Sequence, residues 1–273
     1  VKGYLTPSLI KDYEQLFDKA EKTVADDSVL LKRVKRARLP LEFAILDISL
    51  HNLTEELSFI KRENDKIVPR QDMLERVDAF VRLGKENGIK RLEEHGYPPE
   101  EFRENILNLV QKTQRQSLAF GKPVQVTTQW SEKYPVGGGK ALTDGLFGVV
   151  DFHYNWLGFE NADLEAIIDL EKPTEIRKLS ADFMQYPLAW IFLPIKVEYF
   201  ISLDGKNFKN VEKIITTTPQ QQGKVFLQLF ETSFNPVKAR YIKIFAESVK
   251  LCPAWHRGSG QPAWIFIDEV IAE

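Results

Sequence analysis

Apolar residues recur at helical spacing up to about residue 120 and at strand spacing from residue 124 onward. Thr6-Pro7 predicts the first helix start, with Thr6 as the cap and Pro7 at the first helical position. Leu9, Tyr13, Leu16, Phe17, Ala20 and Val24 then repeat as one face of a helix does. A second helix follows Asp26-Asp27-Ser28, with Leu31, Val34, Leu41, Ile45 and Ile48 on one side, and its pattern runs on toward Ile60. Pro40 lies inside that stretch and predicts a kink or a split. A third helix starts near Pro69, carries Leu74, Val77, Phe80 and Val81, and fades at Asn87-Gly88. The fourth opens at Pro98-Pro99-Glu100-Glu101, where acids suit a helix N-terminus, and shows Phe102, Ile106, Leu109 and Val110 as its apolar stripe. Four such helices with short connections predict an antiparallel bundle over residues 1–120.

Gly121-Lys122-Pro123 ends the helical period, and the strand at 124–130 alternates instead. Further strand-like segments fall at 164–170, 176–185, 195–203, 224–231, 239–247 and 263–271. Asp204-Gly205 is a tight-turn signal, and Tyr134-Pro-Val-Gly-Gly-Gly139 reads as a loop. Short strands at this density predict a β-sandwich or barrel over residues 124–273.

Composition narrows the class. Charged residues make up 28% of the 273 and apolar residues 43%, which is a globular balance. A net charge of −2 gives no electrostatic footprint for nucleic acid. No apolar run is long enough to span a membrane. Cys252 is the one cysteine, so no internal disulfide forms, which fits a cytosolic or bacterial protein. The chain opens on Val1, not Met, so a piece of a longer protein is expected.

Candidate chemistry is sparse. The run Lys32–Arg38 could meet phosphate or an acidic sugar, but it carries apolar residues at core spacing and reads first as a solvated helix face. His51 and His95 have no partner at metal-ligand spacing. Asp163 and Glu165 share one side of a strand, whereas Asp268 and Glu269 point to opposite faces if theirs is regular. No nucleophile or histidine set supports either pair as a glycosidase dyad, so no enzyme is expected. His153, His256 and Cys252 could meet as a zinc site only by tertiary accident. The loop 253–262 holds Trp255, His256 and Arg257 among Pro253, Gly258, Gly260 and Pro262.

Four segments then recur together: Lys140-Ala-Leu-Thr-Asp-Gly145, Leu164-Glu-Ala-Ile-Ile-Asp-Leu170, Val197-Glu-Tyr-Phe-Ile-Ser-Leu-Asp-Gly205 and Ala239-Arg-Tyr-Ile-Lys-Ile244. Their order and spacing resemble the factor V/VIII type C, or discoidin-like, domains, many of whose bacterial members are family 32 carbohydrate-binding modules. The Trp255-His-Arg-Gly258 loop with Ala263-Trp264 resembles versions attached to bacterial β-hexosaminidases. Phe17-Asp-Lys-Ala-Glu21 and Arg33–Pro40 look like the helical end of an uncharacterised family that follows a glycosidase-like region.

The resemblance implies an N-terminal helical bundle followed by a discoidin-like β-sandwich, or jelly roll. It implies a non-catalytic C-terminal portion of a larger carbohydrate-active protein that is secreted, periplasmic or cell-surface. Its partners would be a glycan and the upstream domain of the same parent. A sugar would lie on an aromatic ring in the loops at one end, with Tyr154, Trp156, Trp255, His256 and Arg257 as ligand residues and His153 and Trp190 as further candidates. Trp130, Trp190 and Trp264, beside or within strands, read first as plugs of the core. The family also implies a structural calcium held by Asp144 and Glu269, although the threonine usual after Asp-Gly is missing and Val149-Val150 stand in that region. The alternative is a bracing region with no ligand of its own.

Overall fold

The computed structural model describes residues 5–51, 57–63, 66–92, 98–219 and 225–273. The chain forms two compact units that divide between Gln114 and Arg115.

The first unit is helical. It contains α1 (Pro7–Thr23), α2 (Ser28–His51), α3 (Gln71–Glu86) and α4 (Pro99–Thr113). The Thr6 hydroxyl accepts from the Leu9 N–H at 3.3 Å, which caps α1, and Asp27 accepts from Val29 and Leu30 at the start of α2. α2 continues through Pro40 without a break in helical assignment. Proline removes one backbone bond there, but Leu39 on one side and Ile45 and Leu46 on the other are buried. Packing of this kind overrides the local cost. A second difference lies beyond α2. The strands β1 (Ile60–Glu63) and β2 (Lys66–Pro69) pair antiparallel, Ile60 opposite Pro69, where the helical pattern was expected to run on. α1 buries Ile10, whereas Tyr13 and Leu16 of its expected apolar face are exposed. The core of this unit centres on Phe43, Phe80 and Phe102, with the Phe43 and Phe102 rings 5.6 Å apart and edge-on. His95 and the side chain of His51 lie outside the described residues.

The second unit is all β. Its strands are β3 (Val124–Val126), β4 (Leu157–Glu160), β5 (Leu164–Gln185), β6 (Lys196–Ser202), β7 (Lys209–Ile215), β8 (Phe226–Glu247) and β9 (Trp264–Ala272). They run in the order β4-β9-β5-β8-β6-β7, with β3 on β5. The expected strands 164–170 and 176–185 are one continuous strand, and the expected 224–231 and 239–247 fall in another, Phe226–Glu247. β5 and β8 stay paired along their length and shift register between Asp169 and Thr174 and again between Ile176 and Lys178. Such irregularities bend a pair of strands, so each serves two layers. One layer holds β3, β6 and β7 beside the 164–170 half of β5, and the other holds β9 and β4 beside the 179–183 half. Ala166, Ile168, Leu179, Phe183, Ile242 and Ile267 fill the space between them. This is a β-sandwich, as the strand density predicted.

The boundary falls earlier than Gly121. Leu118 N–H donates to Ala272 O, and Ala119 is buried in the sandwich core. Arg115 pairs with Glu273 at 2.7 Å, which ties the first residues of the unit to its last. Among the described residues no helix is long and apolar enough to cross a membrane.

Phe102 is fully buried. Phe102→Ala should therefore cost the helical unit about 3–5 kcal/mol, read as earlier loss of helical circular dichroism in urea.

Candidate functional site

β9 is buried at every position. Its inner residues join the sandwich core. Trp264 and Phe266 face outward, into a second small cluster with Trp156, Met184 and Ile191. Tyr134 and Phe152 close that cluster, Tyr134 standing edge-on to Trp264 at 5.2 Å. The loop carrying Phe152 packs on this cluster, and the 253–260 loop packs beside it on Trp190.

Trp156 belongs to it. Expected as a ligand residue, Trp156 has 0% of its surface exposed, and its indole N–H donates to Val149 O at 2.8 Å. Gly148 lies against its ring, where a Cβ would come within 2.1 Å. Trp156 is therefore a core plug and not a stacking surface. The reason is local: it immediately precedes β4 and points under the loop it was expected to crown. Tyr154 is half-buried in the same loop, and His153 is exposed, with Nδ1 at 2.7 Å from Asp151.

The loop 253–260 is built differently. Its Pro253 O accepts from the His256 N–H, and Cys252 O accepts from Gly260 N–H, so the segment closes on itself. His256 is buried, with 7% exposed. Its Nδ1 accepts from the Gly258 N–H at 3.0 Å, so Nε2 carries the proton and donates to Pro187 O at 2.8 Å. Both ring nitrogens are committed, which leaves none for a sugar hydroxyl. Arg257 donates from Nη2 to Leu188 O at 2.8 Å while its side chain stays at the surface. Gly258 sits on the Trp190 ring, where a Cβ would meet Cζ2 at 2.9 Å. Three contacts thus pin the loop to the turn Tyr186–Trp190.

That turn carries Trp190, one of the further ligand candidates. Trp190 holds a left-handed backbone at φ 65°, costly for a bulky residue, and it donates its N–H to Pro187 O and accepts from Trp264 N–H. On its other side Tyr186 lies 6.0 Å from Phe152, centroid to centroid, so the turn stands between the Phe152–Trp156 loop and the 253–260 loop. The pinning leaves Trp255 42% exposed and Leu188 55% exposed, with Arg257 beside them. Trp255 touches the buried ring of Phe192 edge-on at 6.0 Å, which steadies the indole without covering it. Trp190 and Trp264 pack into the small clusters, as plugs do, and Trp130 packs on the main core.

The carboxylates are arranged for other work. Asp163 accepts from Ser248 N–H and pairs with Lys250 at 2.7 Å; Glu165 accepts from Thr127 and lies 3.8 Å from Lys243. Each is matched to its own base. Asp268 and Glu269 break the alternation expected of a regular strand. Ala181 and Phe183 pair with Val270 and Ile267, so β9 carries an extra residue between them. Both carboxylates consequently reach the loop 144–148: Asp268 accepts from Gly148 N–H at 3.0 Å, and Glu269 accepts from Gly145 N–H at 3.1 Å. Burial, then the nearby charges of Asp144 and Asp268, push the Glu269 carboxyl well above the usual range. Asp144, half-buried, and Glu269, buried, are the two carboxylates a calcium ion would take here. Among the described residues no group of three or more His, Cys, Asp or Glu side chains is placed to hold a metal, so loop carbonyls would have to complete the shell. Cys252 is buried and is not grouped with His153 and His256.

No protein-family model matches the chain, and no curated protein matches it. Solved structures do. A chitosan-binding module from a chitosanase/glucanase of Paenibacillus sp. IK-5 matches at 12% identity and a TM-score of 0.39, over 58% of this chain and 99% of that one. CpGH89CBM32-5 from Clostridium perfringens, solved with GalNAc-β-1,3-galactose, matches at 19% identity and a TM-score of 0.37, over 57% of this chain and 99% of the module. A fucosidase of Ruminococcus gnavus matches at 17% identity and a TM-score of 0.37, over 64% of this chain and 29% of the enzyme. At these identities and scores the likeness says nothing about individual residues.

The burial of Trp156 yields a direct test. Trp156→Ala should cost the sandwich about 3–5 kcal/mol through lost packing and a cavity, measured by urea unfolding.

Proposed function

We propose that the β-unit binds a glycan at one end of the sandwich, as a non-catalytic portion of a larger secreted carbohydrate-active protein. The observation that carries this reading is Trp255. A large indole is left 42% exposed while the loop around it is fixed by three separate contacts. An exposed, immobilised ring is what stacking on the apolar face of a sugar requires, since little ordering cost remains to be met on binding. Arg257 supplies polar donors beside the ring, Leu188 extends the apolar floor, and Tyr154 stands on the neighbouring loop. The discoidin-like motifs in the sequence support the same end of the fold. His256 acts here by positioning the loop. The parent protein's upstream domain is the second partner in this reading.

A bracing role without ligand is the second reading. The observation in its favour is that Trp156 and His256, both named as ligand residues, are buried in structural contacts.

Trp255→Ala separates the two. Few core contacts go with this side chain, so melting should change little, within about 0.5 kcal/mol. Retention on a glycan array should fall sharply. Wild-type protein that retains no array sugar, or a Trp255→Ala variant that unfolds, would favour the bracing role.

We also propose that a calcium ion sits between Asp144 and Glu269, where it would offset the repulsion between Glu269 and its neighbouring carboxylates. A ligand that binds only the folded state raises stability by mass action. Excess chelator should then lower the melting temperature of the wild type and leave Glu269→Gln unmoved. Identical wild-type melting curves with calcium and with chelator would remove the ion.

A further inference from the structure

The helix α1 is apolar over a wider arc than it buries. Its inner side is accounted for: Ile10 is buried, Glu14 pairs with Arg76 of α3 at 2.7 Å, and Glu21 pairs with Arg38 of α2 at 3.2 Å. A second stripe, Leu9, Tyr13, Leu16 and Ala20, runs about 100° further round, at intervals of four, three and four. Tyr13 is 42% exposed and Leu16 61%, while Leu9 and Ala20 are half-buried. That spacing is the seam along which two helices pack, and its two largest side chains stand open to solvent.

One edge of the stripe adjoins the packed side through Phe17 and Val24, both half-buried. The other edge carries Asp12 and Lys19, seven residues apart and so nearly in line along the helix. Both are exposed, and neither side chain has a hydrogen-bond or ion-pair partner among the described residues. The open edge is therefore one acid and one base, placed almost evenly about the middle of the stripe. Such a face is its own complement: when a copy is turned end for end, acid meets base.

We infer that this face pairs with the same face of a second copy of the chain, α1 against α1, antiparallel about a two-fold axis. With the axis between Glu14 and Gln15, Leu9 lies against Ala20 of the second copy and Tyr13 against its Leu16, each contact being made twice. At about 1.5 Å per residue, this register leaves Asp12 and Lys19 of the second copy roughly 3 Å apart along the axis, within reach of a lysine stem. Two ion pairs then close the open edge. One stripe per copy is a small contact, so the dimer depends on concentration and is not obligate. An upstream domain of the parent is the less suitable occupant, because a different surface has no need of a self-complementary edge. The face is separate from the sandwich loops and does not depend on the reading given for Trp255.

Sedimentation velocity of the full chain, from low micromolar to submillimolar concentration, tests it. The average mass of the wild type should rise from that of one chain toward twice that value. Leu16→Glu should stay at the mass of one chain throughout, with its melting temperature unchanged, since Leu16 is largely exposed. Asp12→Lys should weaken association about tenfold, and so should Lys19→Asp, because each turns two attractions into two repulsions. Asp12→Lys/Lys19→Asp together should restore the wild-type curve, which a loss of folding could not do. Should Leu16→Glu fail to fold, this charge exchange decides alone. Trp255→Ala should associate as the wild type does. The proposal is overturned if the wild type stays at one chain at every concentration, which would leave the face to another occupant. It is equally overturned if folded Leu16→Glu associates as the wild type does, if the double exchange is as weak as either single variant, or if Trp255→Ala abolishes association.

Discussion

Every residue of β9 is buried, and a strand covered on both faces needs two separate apolar partners. The main sandwich core is one. The other must come from loops, and the cluster of Trp156, Met184, Trp264 and Phe266 under Tyr134 and Phe152 is the result. The end of the sandwich is organised by this need. It draws Trp156 inward and forces Gly148 against its ring. It holds Trp190 in a left-handed turn whose carbonyl is tied to β9. Only what lies outside that cluster is free to meet a ligand, and Trp255 lies outside it.

Much of the fold was legible from periodicity. The cap at Thr6 follows from residue type alone, and the strand alternation at 164–170 is reproduced position by position in burial. What escaped had little local signal. β1 is Ile-Lys-Arg-Glu, with one buried residue and three exposed, so nothing apolar alternates. Pro40 gave a strong local signal that the burial of Leu39, Ile45 and Leu46 overrides. The continuity of β5 and β8 was hidden because their bends fall at polar residues, where a sequence reads as a break.

The candidate site was half legible. Trp255 stood out because turn formers flank it, and those same turn formers fix its loop. His256, next to it, has the same local context and the opposite fate. Its role depends on Pro187 O, a partner 69 residues away that no local pattern reveals. Trp156 could have been read as core from Leu157 onward, since it abuts a strand. The pair Asp268-Glu269 misled for a physical reason: an extra residue in β9 turns both carboxylates toward one loop, and period-two reasoning holds only where pairing is regular.

Two of the three contacts that hold the 253–260 loop end on main-chain oxygens, at Pro187 and Leu188. A carbonyl acceptor survives a change of side chain at its own residue. Leu188 can therefore vary in size and polarity while Arg257 and His256 keep their anchors. Ala254 and Trp255 face solvent from the same fixed segment. The three positions form a compact set on which recognition could be rewritten by selection while the scaffold beneath stays the same.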